Sequence, residues 1–265
     1  MGKRLDELNT FAGKGLCSFP LLKKGGYFLV GFVTQLFNGL SLGSIMLFIA
    51  IGLAITFGLM GVINMAHGEL IMVGAYATYV VQQFLRNMHR NRWTIIISSL
   101  FLSPFCFRSP WFRIGKSLIR HLYHRPLDSL LATWGVSLIL QQMARMIFGA
   151  PNVAVLPPEW LDGGVRVAGM VFPYKRLFIL AFVAVSIFAL YMYLNKTAAG
   201  RRIRAVTLNR DMAACLGIST QKVDAYAFAI GSGFAGLAGC ALTLLGSIGP
   251  TIGTYYIVDA FMVVI

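Results

Sequence analysis

Six stretches of the chain contain no aspartate, glutamate, lysine or arginine: 25–68, 70–85, 93–107, 129–144, 177–195 and 225–258. A helix that crosses the hydrocarbon layer of a membrane needs about 20 apolar residues. The first stretch is long enough for two crossings, or for one crossing and a re-entrant piece. The runs lack the strict alternation of membrane β-strands. They predict an all-α fold, a polytopic bundle of transmembrane helices.

Composition supports this prediction. Of the 265 residues, 57% are hydrophobic and only 12% are charged, too few to cover the surface of an ordinary soluble domain. Disorder is excluded because it requires low hydrophobicity and high charge. The net charge of +14 would suggest nucleic acid in a soluble protein. Here the basic residues cluster between apolar stretches, so we expect a membrane lipid surface and no nucleic acid.

The positions of lysine and arginine predict the sidedness of the loops, because these residues favour the cytoplasmic side. Residues 196–222 hold six of them, and we place this loop inside. The loop 149–175 holds few and is rich in proline and glycine, and we place it outside as a non-helical loop. Basic clusters flank 93–107 on both sides, so that piece either spans with one cluster on the wrong side, or is re-entrant, or is misread as a membrane segment.

No catalytic apparatus is visible in the sequence. The four cysteines are too widely spaced for a disulfide framework or a zinc motif, and no H-E-x-x-H is present. Gly115-Lys116-Ser117 resembles half a phosphate loop, but Pro110 replaces its first glycine and has no N–H. We therefore expect no enzyme activity, no metal and no cofactor, and energy for any pumping would come from another subunit.

Polar residues within the apolar stretches are the candidates for a solute path, because an ionisable group in lipid is costly unless paired or wetted. The segment Asn64-Met-Ala-His-Gly-Glu69 predicts a helix break that either faces a solute or pins two helices together. Gln141 and Gln142 could bind a polar solute or simply link helices, and Asp259 is a similar candidate. The candidate path residues are Asn64, His67, Glu69, Gln141, Gln142 and Asp259.

Pairs of small residues four apart predict close contacts between helices. They are Gly39 with Gly43, Ser232 with Gly236, and Ala235 with Gly239.

Segment 197–218 favours a helix with a basic surface and several apolar residues. Gly217 offers a stop, and Ser219 or Thr220 can cap the next helix. The segment could lie on anionic lipid, dock into a partner's groove, or be a solvated loop.

Two motifs resemble the bacterial branched-chain amino acid ABC transporter permease family. They are Asn64-Met-Ala-His-Gly-Glu69 and the pattern Gly200…Arg204-Ala-Val…Asn209-Arg-Asp…Ala213-Ala…Gly217-Ile218. The stretches 120–127 and 132–142 are closest to the urea-type permease subunit. The resemblance covers about 36–83 and 118–265, which defines a permease domain at 36–265.

The resemblance implies a multi-pass protein of the bacterial inner membrane. Its expected partners are a homologous permease subunit, cytoplasmic ABC ATPases and a periplasmic solute-binding protein. The expected solute is urea or a related small polar molecule. Branched-chain amino acid import, and a passive channel or secondary transporter, remain alternatives. The residues implied to couple to the ATPases are Gly200, Arg201, Arg204, Ala205, Asn209, Asp211, Ala213 and Gly217.

Three parts of the chain depart from the family pattern. Residues 1–35 form an atypical N-terminal extension, and 84–117 form an anomalous segment whose composition suggests a shifted reading frame. The last apolar run, Tyr255–Ile265, is too short to span and predicts truncation at the C-terminus.

Overall fold

The computed structural model describes residues 24–61, 64–87, 126–155, 161, 163–167 and 170–264. Its elements, in chain order, are α1 (Lys24–Met60), α2 (His67–Asn87), α3 (Pro126–Phe148), β1 (Gly164–Val167), β2 (Met170–Pro173), α4 (Tyr174–Lys196), α5 (Ala198–Leu208), α6 (Arg210–Cys215), α7 (Thr220–Thr243) and α8 (Ile252–Val264). The predicted extension at 1–35 lies largely outside the described residues. So does most of the segment 84–117.

The all-α prediction is confirmed. Three described helices are long and apolar enough to cross a membrane: Gly31–Met60, Tyr174–Lys196 and Thr220–Thr243. The first uncharged stretch forms one long helix, α1, followed by a break and the start of α2. The chain therefore uses this stretch for one crossing and a turn back into the bundle, rather than for two full crossings.

Helix α7 lies at the centre of the bundle and packs most extensively against α1 and α2. Glycines allow this packing, because a Cβ on Gly239 would lie 2.1 Å from the Ile71 carbonyl oxygen. A Cβ on Gly74 would likewise lie 2.4 Å from the Gly236 carbonyl oxygen. The buried core around these contacts includes Phe48, Leu53, Leu70 and Leu242.

Two of the three predicted small-residue pairs therefore lie at close helix contacts. The pair Gly39 and Gly43 does not, since no described heavy atom lies within 4 Å of a Cβ built on either residue. The four-residue spacing of small residues therefore does not by itself distinguish a helix that contacts another helix from one whose small residues are exposed.

The bundle has two distinct ends. At one end, the end of α1 and the start of α7 pack against α5 and α6. At the other end, β1 and β2 form an antiparallel hairpin, and Phe172 makes an edge contact with Phe37 of α1. The described residues of the predicted outer loop at 149–175 are largely non-helical, as expected from its prolines and glycines, and they include the hairpin.

Candidate translocation path and coupling surface

The link between α1 and α2 turns back inside the bundle. Gly61 follows α1 with φ +63°, a conformation that glycine adopts readily. The Asn64 side-chain oxygen then accepts a hydrogen bond from the Ala66 N–H at 3.1 Å. His67 opens α2 level with Gly52, where a Cβ would lie 3.3 Å from the His67 Nε2. Since Gly52 precedes the end of α1 by about two turns, α2 begins within the bundle.

His67 is fully buried at this break. The Ile49 carbonyl lies beside its ring. Neither ring nitrogen has a hydrogen-bond partner of standard geometry within the described part of the chain. The position is that of a packed core side chain at the crossing of α1, α2 and α7, and the predicted contact with a solute remains a prediction.

Glu69 is the buried centre of a polar cluster. The residue is only 1% exposed. Oε1 accepts hydrogen bonds from the Ser137 hydroxyl at 2.9 Å and from the Gln141 amide at 2.7 Å. The same amide nitrogen lies 3.0 Å from the Thr254 hydroxyl. The polar cluster of Glu69, Ser137, Gln141 and Thr254 therefore joins α2, α3 and α8.

The two oxygens of the Glu69 carboxyl group have different surroundings. Glu69 lies in the first turn of α2, and its Oε1 accepts both of the hydrogen bonds described above. The second carboxylate oxygen, Oε2, is buried without a partner among the described residues. A buried polar atom without a partner is costly, and such an atom can accept a hydrogen bond from a passing solute or water.

The structure brings Glu69 and Gln141 together but separates the other candidates. Gln142 is exposed on the outer face of α3, and Asp259 is exposed on α8. Sequence reasoning missed Ser137 and Thr254, because single hydroxyl residues are frequent in membrane helices and carry no spacing signal. The i, i+4 relation of Ser137 and Gln141 on one helix face is the signal that could have found the first.

The predicted coupling segment 197–218 is two helices rather than one. The Thr197 hydroxyl oxygen caps α5 by accepting from the Gly200 N–H at 3.1 Å. The Asn209 side chain caps α6 by accepting from the Met212 N–H at 3.0 Å. Gly217 ends the segment with φ +80°, which confirms the predicted stop. Ser219 takes the N-cap position of α7 without a side-chain hydrogen bond.

One face of this segment is docked on the bundle. Ile203 and Val206 of α5 and Ala213 of α6 are buried against Met60 and Val223, at the ends of α1 and α7. Gly200 is needed where α5 leaves α4, because a Cβ there would lie 2.2 Å from the Leu194 carbonyl oxygen.

Two polar contacts fix the docked position. Arg210 of α6 forms a two-pronged ion pair with Asp224 of α7, with one prong at 3.3 Å and the other shorter. Arg204 donates to the Asn195 side-chain oxygen at 2.8 Å. The sequence prediction named neither Arg210 nor Asp224 as a site residue, although their opposite charges join α6 to α7.

The opposite face of the segment is exposed. It carries Arg201, Arg202 and Asp211 together with apolar side chains, of which Leu208 is 88% exposed and Leu216 is 76% exposed. The residues implied by the resemblance therefore fall into three groups. Gly200, Ala205 and Ala213 support packing, Arg204, Asn209 and Gly217 form a side-chain hydrogen bond, a helix cap and a helix end, and Arg201 and Asp211 are exposed. We name the exposed face the coupling surface.

Comparison with known proteins shows which family the chain resembles. Residues 35–265 match the family described as "Branched-chain amino acid transport system / permease component". The chain is 32% identical over 234 residues to the high-affinity branched-chain amino acid transport system permease protein LivH of Salmonella typhimurium, covering 84% of this chain and 74% of the relative. It is 29% identical over 240 residues to BraD of Pseudomonas aeruginosa, covering 87% and 77%.

A more distant relative is a probable LivH permease of Methanocaldococcus jannaschii, which is 24% identical over 237 residues. It covers 82% of this chain and 68% of the relative. No solved structure matches the chain significantly. The family is one of transport permeases and not of enzymes. Together with the apolar helices, these matches show that the chain belongs to the branched-chain amino acid ABC transporter permease family and is a multi-pass protein of the inner membrane.

Proposed function

We propose that this chain is a permease subunit of an importer for branched-chain amino acids. It works with a second, homologous permease, with cytoplasmic ABC ATPases and with a periplasmic binding protein. The observation that carries the proposal is the coupling surface, a docked pair of short helices with exposed arginine and leucine side chains. Such a surface fits a groove in a separate protein.

Coupling requires an element that moves as one body. Segment 197–218 meets this requirement, because both of its helices are capped and both are packed on the ends of α1 and α7. Displacement of the coupling surface by a bound protein would therefore also displace α7, which packs against both α1 and α2. The basic residues of the segment favour the cytoplasmic side, where ATP is available.

The polar cluster around Glu69 is the proposed gate of the path. It lies where α2 begins inside the bundle, and it links α2 to α3 and α8. Movement of α7 would shift α2 through the close glycine contacts, and the hydrogen bonds of Gln141 would then break or reform. The Glu69 Oε2, which has no partner among the described residues, can accept a hydrogen bond from the ammonium group of an amino acid.

The relatives favour the amino-acid alternative over urea, since their names specify branched-chain amino acid transport. The test is uptake by proteoliposomes that contain the complete importer, including its binding protein and internal ATP. We expect labelled leucine to accumulate with ATP, and a large excess of urea not to compete. Leucine uptake without ATP would support a passive channel or secondary transporter instead, and uptake of urea alone would contradict the proposed substrate.

The neighbouring amides of α3 provide a matched test of the gate. Replacing Gln141 by leucine removes the 2.7 Å hydrogen bond to Glu69 and leaves a buried carboxylate with one donor fewer, at a cost of about 1–3 kcal/mol. We expect a lower unfolding temperature and at least a roughly tenfold loss of leucine uptake. Gln142→Leu is the control, because Gln142 is exposed and adjacent. Equal uptake by the two variants would argue against a gate at Glu69.

A further inference from the structure

A recess lies at the end of the bundle opposite the coupling surface. Its volume is about 520 Å³, within the range of small-molecule pockets. It is open to the outside and lined by the first half of α1, the start of α4, the end of α7 and the start of α8. The charge pattern of the loops places this end outside the cytoplasm, so we name it the outer recess.

Arg176 brings a positive charge to the outer recess. It lies in the first turn of α4 and is half-buried. No hydrogen bond or ion pair to its side chain is found within the described part of the chain. A guanidinium group presents a planar set of donors that matches a carboxylate in a two-pronged geometry. A cation that could bind the carboxylate of an amino acid is therefore available at this end of α4.

The α1 wall of the recess carries polar side chains. Asn38 and Ser41 lie one turn apart and both line the recess. Ser41 is 1% exposed, and its hydroxyl has no partner among the described residues. A buried hydroxyl without a partner is unusual, and a solute in the recess would provide one.

The remaining walls suit an aliphatic side chain and an ammonium group. Leu42, Leu242 and Ile252 supply apolar surface. The recess also borders the carboxyl end of α7 at Leu245 and Gly246, where the helix dipole places partial negative charge. One pocket thus offers an anion site, a weak cation site and apolar surface between them.

We infer that the outer recess receives a branched-chain α-amino acid on its way into the bundle, with Arg176 binding its carboxylate. This inference rests on the proposed importer function and adds to it a first binding site and its chemistry. The ligand needs both a carboxylate and an aliphatic side chain, which urea lacks. The phosphate of an anionic lipid headgroup shares the affinity for arginine, and the experiment must separate the two.

Two glycines of α1 provide a matched pair for blocking the recess. Gly39 lines it and Gly43, one turn further along, does not. No described heavy atom lies within 4 Å of a Cβ on either residue, so a side chain can be added at both positions without a clash at its Cβ. In the complete reconstituted importer, we expect Gly39→Leu to reduce leucine uptake at least about tenfold, while Gly43→Leu leaves it unchanged. Loss of subunit assembly in both variants would assign the pair to a subunit contact and overturn the inference.

The second arm tests the charge. We expect Arg176→Gln to lower leucine uptake by about 10- to 100-fold. We also expect it to abolish the rise in the importer's unfolding temperature that L-leucine produces and leucinol, which has no carboxylate, does not. Arg145→Gln is the control, because Arg145 is an exposed arginine in the last turn of α3 and does not line the recess. Copurification of the ATPases shows that each variant is assembled.

Three further outcomes would overturn the inference. In the first, wild-type importer transports leucine and both Arg176→Gln and Gly39→Leu transport it equally well, which leaves the proposed function intact and removes only the site. In the second, Arg176→Gln transports normally but loses a stabilising effect of added phosphatidylglycerol, which assigns the arginine to lipid. In the third, the wild type transports no leucine, which removes the proposed function and the inference together.

Discussion

Replacing Gly239 by alanine is expected to unfold the bundle or to lower its stability severely. A single methyl group at this position would lie 2.1 Å from the Ile71 carbonyl oxygen and 2.9 Å from the Ala75 nitrogen. Both are backbone atoms of α2, so no side chain can rotate away, and α2 must separate from α7. Overpacking in a close-packed interior costs about 1–3 kcal/mol or more, and we expect the upper end of this range.

The measurement is the unfolding temperature of the purified protein in detergent. Gly58→Ala is the control, because Gly58 is an exposed residue of α1 with no described atom within 4 Å of a Cβ. Alanine is favoured over glycine in a helix by about 0.5–1 kcal/mol, so this variant should be as stable as the wild type or slightly more so. A Gly239→Ala protein as stable as the wild type would contradict the packing of α2 on α7.

Breaking the pair of Arg210 and Asp224 is expected to release α6 from the bundle. The Asp224 side chain is only 6% exposed and that of Arg210 is 29% exposed. Removing one partner of a largely buried pair costs about 3–5 kcal/mol, because the other charge remains without compensation. Arg210→Ala should therefore lower the unfolding temperature and abolish copurification of the ATPases. This effect reaches the coupling surface without altering any exposed residue on it.

A double-mutant cycle separates the pair from its surroundings. We expect the double variant Arg210→Met with Asp224→Leu to recover much of the stability that either single variant loses, since it leaves no buried charge. Asp211→Ala serves as a control for the loss of a carboxylate, because Asp211 is exposed and should change stability by less than about 0.5 kcal/mol. Additive losses in the double variant would show that the two side chains do not interact.

The sequence predicted those features that depend on local chemistry. Uncharged stretches gave the helices α3 and α4 within a few residues of their observed ends, whereas the stretch 225–258 contains most of α7, a turn and the start of α8. Gly217 gave the end of the coupling segment because a left-handed residue is needed there. The polar motif that ends at Glu69 predicted the break before α2, because its polar groups are costly in a continuous apolar span.

The features that the sequence did not predict depend on contacts between distant segments. Asn209 could equally continue a helix or cap a new one, and only the docking of α6 on α7 decides for the cap. Gln141 and Gln142 are adjacent in sequence, yet a helix turns one towards Glu69 and the other outwards. Arg176 lies between the loop 149–175 and the uncharged stretch 177–195 and was not predicted as a site, because its place beside Asn38 and Ser41 arises only in the folded bundle.

The most direct test of the account is labelling of Cys215, at the end of α6. This thiol is exposed beside the coupling surface, whereas Cys240 is buried. The experiment uses a protein in which Cys17 and Cys106 are replaced by serine and a maleimide that cannot cross membranes. We predict labelling in inside-out vesicles, slower labelling after the ATPases bind, and none in intact spheroplasts. Labelling of Cys215 from outside intact spheroplasts would contradict the account.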